Sequence, residues 1–241
     1  MKRHIRMLSV FLVGMVAPIL TVTAPKLWAI PFSKTKIIIE VNATAGDGGI
    51  QISLDAVGWK RLEVFDPNGD KVFDVSGSGS VGLTGVTELF FESAEPSFED
   101  LPLIQLLARF PAGQYTFKGT TVDEQTLTGK APLTHAIPAG PVIVSPLDGA
   151  VVNPNNTVIE WEPVTTPFQV GGSAVNIVAY QVIVERVKPT LRVFSVDLPA
   201  TATDVTVPSA FMEPKTVYKF EVLAIEAGGN QTISEGGFKT Q

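Results

Sequence analysis

Short runs in which hydrophobic and polar residues alternate recur along the C-terminal part of the chain, and turn residues separate them. In the clearest run, Tyr218, Phe220 and Val222 alternate with Lys219 and Glu221. A period of two is that of a β-strand with one buried face. Seven such runs occur, at 142–144, 157–161, 177–187, 191–198, 204–207, 218–225 and 232–240. Together they predict an antiparallel β-sandwich.

Residues 30–136 show a similar pattern, with runs at 37–41, 50–54, 62–65, 72–75, 113–117 and 126–133. Between two runs, Asp66-Pro67-Asn68-Gly69 predicts a tight hairpin turn, because proline presets its first corner and glycine accepts the left-handed position. The oxygen-bearing residues here superficially suggest a calcium loop. Gly77, however, stands where an EF-hand needs a bidentate glutamate. We interpret residues 75–80 as a flexible loop.

One segment of this first part, residues 97–111, predicts a short helix instead of a strand. Its hydrophobic residues fall on one helical face, at Leu103, Leu106, Leu107 and Phe110. Asp100 is the expected N-cap, because it leaves the proline that follows in the first turn, where the missing N–H costs little. We expect the helix to close one open end of the sandwich. The alternative is that it docks a partner.

The fold class that follows is all-β, with two tandem antiparallel β-sandwich modules and a short helix inserted between strands of the first. The first module is expected at 30–136, a Pro/Gly linker at 137–141 and the second module at 142–241. Composition agrees with this, since only 17% of residues are charged while the chain has 21 glycines and 18 prolines.

Residues 1–29 predict a secretory signal peptide, with basic residues at Lys2, Arg3 and Arg6 before a hydrophobic run. An uncleaved membrane anchor is the alternative, and no other segment could span a bilayer. We therefore expect a secreted, periplasmic or extracellular protein. Removing the segment takes away four basic residues and leaves 14 basic against 24 acidic ones, a net charge of −10. Such a surface repels nucleic acid. The absence of cysteine excludes disulfides and suggests a bacterial envelope protein.

The second module resembles a fibronectin type III domain. The resemblance is carried by Ile159-Glu160-Trp161-Glu162-Pro163, by Tyr180-Gln181-Val182 and by the segment 212–224. In that family a tryptophan packs the core, and a later tyrosine forms a corner whose hydroxyl bonds back to the preceding turn. The resemblance covers about residues 141–241 and implies that Trp161, Tyr180 and Tyr218 are core markers. The first module is expected to be immunoglobulin-like or fibronectin-like. An Arg-Gly-Asp tripeptide does not occur.

The candidate site is a group of acidic residues beside Leu89-Phe90-Phe91. We interpret this stretch as an acidic loop that could bind calcium or a basic partner, against the alternative of a solvated loop with its phenylalanines buried. Convergence of the glutamates around a pocket would favour calcium or catalysis. The candidate residues are Glu88, Glu92, Glu95, Glu99 and Asp100.

Catalytic chemistry finds little support in the sequence. After signal removal His135 is the one histidine, and no Gly-x-Ser-x-Gly motif occurs. We expect no enzyme, no cofactor and no zinc site, and a function in protein–protein binding or spacing at the cell envelope or outside the cell. The alternative is a carbohydrate-binding accessory module, for which Trp59 would be the free aromatic residue. A second alternative is an enzyme that uses carboxylates alone.

Overall fold

The computed structural model describes residues 28–241, which form β-strands and two short helices. The predicted signal peptide lies outside the described residues, apart from Trp28 and Ala29. Among residues 28–241, no helix is long and hydrophobic enough to cross a membrane. The all-β fold class is confirmed.

The first module contains seven strands and two helices. These are β1 (Ile30–Pro31), β2 (Lys34–Asn42), β3 (Asp47–Phe65), β4 (Lys71–Ser76), α1 (Gly79–Thr84), β5 (Val86–Glu92), α2 (Leu103–Arg109), β6 (Gly113–Thr121) and β7 (Thr126–Leu133).

The second module contains eight strands. These are β8 (Ile143–Ser145), β9 (Ala150–Val152), β10 (Thr157–Trp161), β11 (Ile177–Arg186), β12 (Arg192–Pro199), β13 (Asp204–Val207), β14 (Val217–Glu226) and β15 (Gln231–Thr240).

Strand β3 organises the first module because it is long enough to belong to two groups of strands. Its first half pairs with β2 on one side and β5 on the other. Its second half pairs with β6 and β4, and β7 continues the sheet beyond β6. The sequence predicted two separate strands here. Register shifts between Asp55 and Trp59, and between Trp59 and Arg61, bend the single strand and interrupt its alternation.

Trp59 is therefore a core residue. It is 1% exposed and lies in the hydrophobic core of the first module. The prediction that Trp59 is exposed and available to bind carbohydrate was wrong. The register shifts around Trp59 interrupt the alternation, so the pattern did not indicate that its side chain points inward.

Two further local predictions about the first module were wrong. Part of the loop expected at 75–80 is helical, since α1 begins at Gly79 and is closed by backbone hydrogen bonds from Gly82 to Ser78 and from Gly85 to Val81. The cap of α2 is Pro102 instead of Asp100, whose N–H bonds to Ser97 in a separate turn. The helix itself is confirmed. Its leucines at 103, 106 and 107 are buried in the core of the first module.

The hairpin turn between β3 and β4 is confirmed. Asp66 Oδ1 accepts hydrogen bonds from the backbone N–H groups of Asn68 and Asp70, at 2.9 and 2.8 Å. Gly69 has a φ of +90°, in the left-handed region that the turn requires. Asp66 therefore holds the turn through its side chain.

The second module is a sandwich of two sheets. One sheet has the strand order β13–β10–β8, and the other has β12–β11–β14–β15 with β9 beside β15. The inward faces enclose a core that includes Trp161, Tyr180 and Tyr218. Their burial is as the resemblance implied, since each is at most 1% exposed. The strand bounds at 157–161 and 204–207 were predicted correctly from alternation alone.

Candidate functional site

The two modules are joined by β-sheet pairing as well as by the linker. Strand β15 of the second module lies parallel to β2 of the first, with Gln231, Thr232 and Ile233 opposite Glu40, Val41 and Asn42. One sheet therefore runs from the first module into the second. This pairing joins segments far apart in sequence, so the local alternation of hydrophobic and polar residues does not reveal it.

Asn230 fixes the start of this pairing. Its side chain is 1% exposed, and its oxygen accepts a hydrogen bond from the Ile39 backbone N–H at 2.9 Å. Its Nδ2 donates to the carbonyl oxygens of Thr134 and Ala136, each at 3.0 Å, and lies 3.1 Å from the Thr134 hydroxyl. The turn that contains Asn230 thus makes contacts between the modules.

The linker is held from a second side by the β10–β11 loop. Ala139 N–H donates to the Thr166 carbonyl, and Phe168 N–H donates to the Ile137 carbonyl, both at 2.9 Å. The Phe168 ring packs edge-on against Phe98 of the first module, with centroids 6.0 Å apart. A loop of the second module therefore reaches the core of the first. The exact boundaries at 136 and 142 stay a prediction.

His135 lies just before this linker. Its Nε2 is 2.8 Å from the carbonyl oxygen of Phe110, at the end of α2. A carbonyl only accepts hydrogen bonds, so Nε2 carries the proton in this contact. The contact ties the segment before the linker to the end of the helix.

The predicted acidic loop is in part a strand. Residues 88–92 belong to β5, which pairs with β3 along one side. Alternation along β5 places Glu88, Phe90 and Glu92 on one exposed face, and the Phe90 side chain is 64% exposed. The expectation of a loop was wrong for residues 88–92. Glu88 and Glu92 suggested a loop, but they lie on the solvent-exposed face of a strand.

Beside this face lies a groove of about 490 Å³ on the sheet formed by β2, β3 and β5. Lys34 and Lys36 line it from β2, and Glu88 and Phe90 line it from β5. The groove thus has basic groups on one strand and an acidic and an aromatic group on another. The sequence pointed to Glu88 and its neighbouring aromatics, but not to the lysines across the groove.

Two of the predicted glutamates converge with a third that the sequence did not single out. One carboxylate oxygen from each of Glu40, Glu92 and Glu95 lies within 4.8 Å of the other two. Glu40 is 6% exposed at the junction, and its side chain accepts a hydrogen bond from Gln231 of β15. Gln51 Nε2 donates to Glu92 at 2.9 Å.

Burial is the main cause that raises the pKa of Glu40 to about 7, and the neighbouring Glu92 and Glu95 add to it, while the Gln231 hydrogen bond opposes it. Burial and the charges of Glu92, Asp47 and Glu235 raise the pKa of Glu95 to about 7 as well. These carboxylates are close enough to share a proton or to hold a cation. The side-chain amides of Gln231 and Gln51 already donate hydrogen bonds to Glu40 and Glu92.

The remaining predicted residues do not join this group. Glu88 lies farther along β5, opposite Asp55, and Glu99 and Asp100 are exposed in the turn before α2. The Ser97 hydroxyl and Asp100 Oδ2 are 3.2 Å apart within that turn. Of the five predicted acidic residues, Glu92 and Glu95 converge and the other three do not. Calcium binding therefore stays a hypothesis for the group that Glu92 and Glu95 form with Glu40.

The tyrosine corner of the second module has the geometry that the resemblance implied. The Tyr218 hydroxyl accepts a hydrogen bond from the Glu213 backbone N–H at 2.7 Å. Tyr180 acts in a similar way, since its hydroxyl accepts from Val164 N–H at 2.8 Å. In the first module the Tyr115 hydroxyl donates to the Pro111 carbonyl at 3.1 Å, four residues back. Both modules thus use a buried tyrosine to fix a turn.

The similarity of this chain to known proteins is structural and distant. No protein family and no curated protein matches the chain. The structure of chicken CNTN1 FN1–FN3 domains is 13% identical, with a TM-score of 0.35, over 88% of this chain and 65% of that one. The chain therefore spans about two thirds of that structure. A two-domain fibronectin type III segment from chicken tenascin is 14% identical, with a TM-score of 0.30, over 86% of this chain and 98% of that one.

These similarities are distant, so the fold is argued from the chain itself. Its second module places β13, β10 and β8 in one sheet and β12, β11, β14 and β15 in the other. It also has the buried Trp161 and the Tyr218 corner. The second module has a fibronectin type III-like fold.

Proposed function

We propose that this chain is an exported, non-catalytic protein that binds another protein through the exposed face of β5, while its two modules keep a fixed relative orientation. The observation that carries the proposal is Phe90. It is 64% exposed, between two exposed glutamates on the same face of a strand. Large exposed aromatic residues are typical anchors of protein interfaces.

The surroundings of Phe90 support this role. Within residues 28–241, β5 pairs with β3 alone, so its other edge offers unpaired backbone groups that a partner strand can use. Glu88 and Glu92 give the strand negative charge, and the groove beside it presents Lys34 and Lys36. A partner that is mainly basic along the strand, with an apolar residue for Phe90, fits this arrangement.

Fixed orientation of the modules is supported by the junction. Three sets of contacts hold the second module against the first and against the linker. They are the β2–β15 pairing, the Asn230 hydrogen bonds and the contacts of residues 166–168. A partner bound at β5 would therefore be held at a fixed distance from any molecule or surface that binds the second module.

Export is supported by the basic residues at 2–6 and the hydrophobic run that follows. Its test is fractionation of the source cells, followed by N-terminal sequencing of the protein. A mature N-terminus near residue 30 in an extracytoplasmic fraction is the expected result. An intact N-terminus in the cytoplasmic fraction would overturn this part of the proposal.

The binding proposal is tested by capture from an envelope extract of the source, with residues 28–241 as bait, with calcium and with a chelator. Phe90→Ser should abolish retention of a specific partner, and Glu88→Gln should weaken it. Leu147→Ser is the matched control, because Leu147 is 69% exposed and lies in the second module. Equal retention by the Phe90 variant and the control would contradict the proposed surface.

A further inference from the structure

The end of the second module farthest from the junction carries a basic groove. This groove, of about 910 Å³, is lined by Val187, Lys188, Pro189, Lys215, Thr216, Val217 and Lys219. Three of these seven residues are lysines and none is acidic. Lys188, Lys215 and Lys219 are all exposed. We call this set of residues, together with the adjacent Leu191, the basic tip.

The basic tip is remote from the acidic junction. Strand β11 begins at Ile177, next to Asn176, whose carbonyl accepts a hydrogen bond from Ala227 in the junction turn. It is ten residues long and ends at Arg186, beside the tip. At about 3.3 Å per residue, the strand spans roughly 30 Å. This is several times the screening length of about 8 Å at physiological ionic strength, so the junction carboxylates do not cancel the charge of the tip.

One acidic residue at the base of the tip is already paired. Glu213 forms ion pairs with Arg186, whose Nη1 lies 2.6 Å away, and with Arg192. Arg186 is 7% exposed, so this network is part of the framework of the tip. Glu185 stands opposite Lys219 across the β11–β14 pairing, and Lys239 stands opposite Val217 on β15. Glu221 lies near Lys219 and Glu185 as well. The charge at this end is still positive, because these three acidic residues stand against six basic ones, Arg186, Lys188, Arg192, Lys215, Lys219 and Lys239.

The hydrophobic residues of the tip are aliphatic and exposed. Val187, Leu191 and Val217 are 46, 60 and 64% exposed. No aromatic residue lines the groove, so it lacks the stacking platform that a polysaccharide would use. Aliphatic side chains among lysines suit the boundary of a bilayer, where the side chains enter the headgroup region and the ammonium groups meet lipid phosphates.

We propose that the basic tip docks on the surface of a membrane that contains anionic phospholipid. The second module then lies with its tip on the bilayer, and the first module, with the face of β5, points away from it. This inference goes beyond the protein-binding role proposed above, and it does not depend on Phe90.

The test is co-sedimentation of residues 28–241 with vesicles of phosphatidylglycerol and phosphatidylcholine, or of phosphatidylcholine alone. This segment is the folded unit, since both cores are built from residues within it. Binding is expected to the anionic vesicles only, and to weaken with salt. Each lysine near an anionic surface contributes about fivefold in affinity, so Lys188→Gln with Lys215→Gln should weaken binding roughly 25-fold.

Two further variants complete the test. Val187→Ser with Leu191→Ser should also reduce binding, because the aliphatic contact is lost. Lys118→Gln with Lys130→Gln makes the same charge change at two exposed positions of the first module and should leave binding unchanged. Circular dichroism of each variant confirms that it is folded.

Any of four results would overturn the proposal. The first three are equal binding to both vesicle types, unchanged binding of the tip variants, and displacement by inorganic phosphate at low concentration, which would indicate a site for a single anion. Binding of a soluble acidic polymer such as polyglutamate in preference to vesicles would assign the tip to a different partner and would also refute it.

Discussion

The side-chain oxygen of Asn230 accepts a hydrogen bond from the backbone N–H of Ile39 at 2.9 Å, across 191 residues of sequence. Ile39 is fully buried in β2, so this N–H has no access to water. A single asparagine at a turn of one module thus satisfies the edge of a strand in the other, at the point where the two sheets become one.

Replacing Asn230 by alanine should therefore destabilise the protein. The change leaves the Ile39 N–H and the carbonyls of Thr134 and Ala136 without their partner, at a cost of about 2–3 kcal/mol in the free energy of unfolding. Urea denaturation of residues 28–241 measures this. Asn156→Ala, at an exposed turn, is the control and should change stability by less than about 0.5 kcal/mol. Similar losses for the two variants would show that the Asn230 contacts contribute little.

The second prediction concerns pH and Glu40. Burial raises the pKa of Glu40 from 4.5 to about 7 in the folded protein, so the neutral form is favoured there. Its contribution to stability is complete below about pH 4.5 and is lost as the pH rises through about 7. The cation nearby is Lys36 on the same strand, and the other charged neighbours, Glu92 and Glu95, oppose ionisation.

Glu40→Gln keeps the shape of the neutral form and removes the ionisation. We expect the variant to be more stable than the wild type at about pH 8, by roughly 1–3 kcal/mol, and similar to it at about pH 5. Urea denaturation at both pH values measures the difference. Glu99→Gln, at an exposed position before α2, is the control and should give no such pH dependence. A Glu40 variant that is less stable than the wild type at the higher pH would disprove the prediction.

Strands with regular alternation were predictable from the sequence, and those with register shifts were not. β10 and β13 have one buried and one polar face and no irregularity, so their bounds were found from the pattern. β3 carries its register shifts around Trp59. Its buried hydrophobic side chains are at even-numbered positions up to Ala56 and again from Leu62, and Trp59 between them is at an odd-numbered buried position. A period-two search loses the strand at that point, and it also loses the burial of the tryptophan.

The candidate site was predictable only in part, for a related reason. Glu92 and Glu95 were found because acidic residues cluster in their segment. Glu40 lies in a hydrophobic run, and its burial depends on pairing with a strand that begins at Gln231. Likewise the hydrogen bond between Asn230 and Ile39 of β2 could not be predicted from the sequence. Contacts between segments some 190 residues apart arise from tertiary packing, which local periodicity does not encode.

The third prediction concerns the tyrosine corners. Tyr218→Phe removes the acceptor of the Glu213 N–H, and it should cost about 1–2 kcal/mol in the free energy of unfolding. Tyr115→Phe removes a donor from the Pro111 carbonyl, which should cost less than about 1 kcal/mol, because unpaired carbonyls are better tolerated than unpaired N–H groups. Urea denaturation of the two variants gives the ranking, and the reverse order would refute the argument.

The fourth prediction concerns adjacent glycines in β15. A Cβ at Gly236 would stand 2.5 Å from Cζ and 2.7 Å from Cε1 of the Phe220 ring, which is 1% exposed in the core. At Gly237 the nearest atoms would be 3.4 Å away, an ordinary contact. Gly236→Ala should therefore destabilise the second module by about 1–3 kcal/mol through overpacking. Gly237→Ala should be neutral or stabilising, since glycine within a strand is itself unfavourable. Thermal unfolding of both variants compares neighbouring positions in one strand. Equal melting temperatures would show that a side chain at position 236 does not clash with the ring of Phe220.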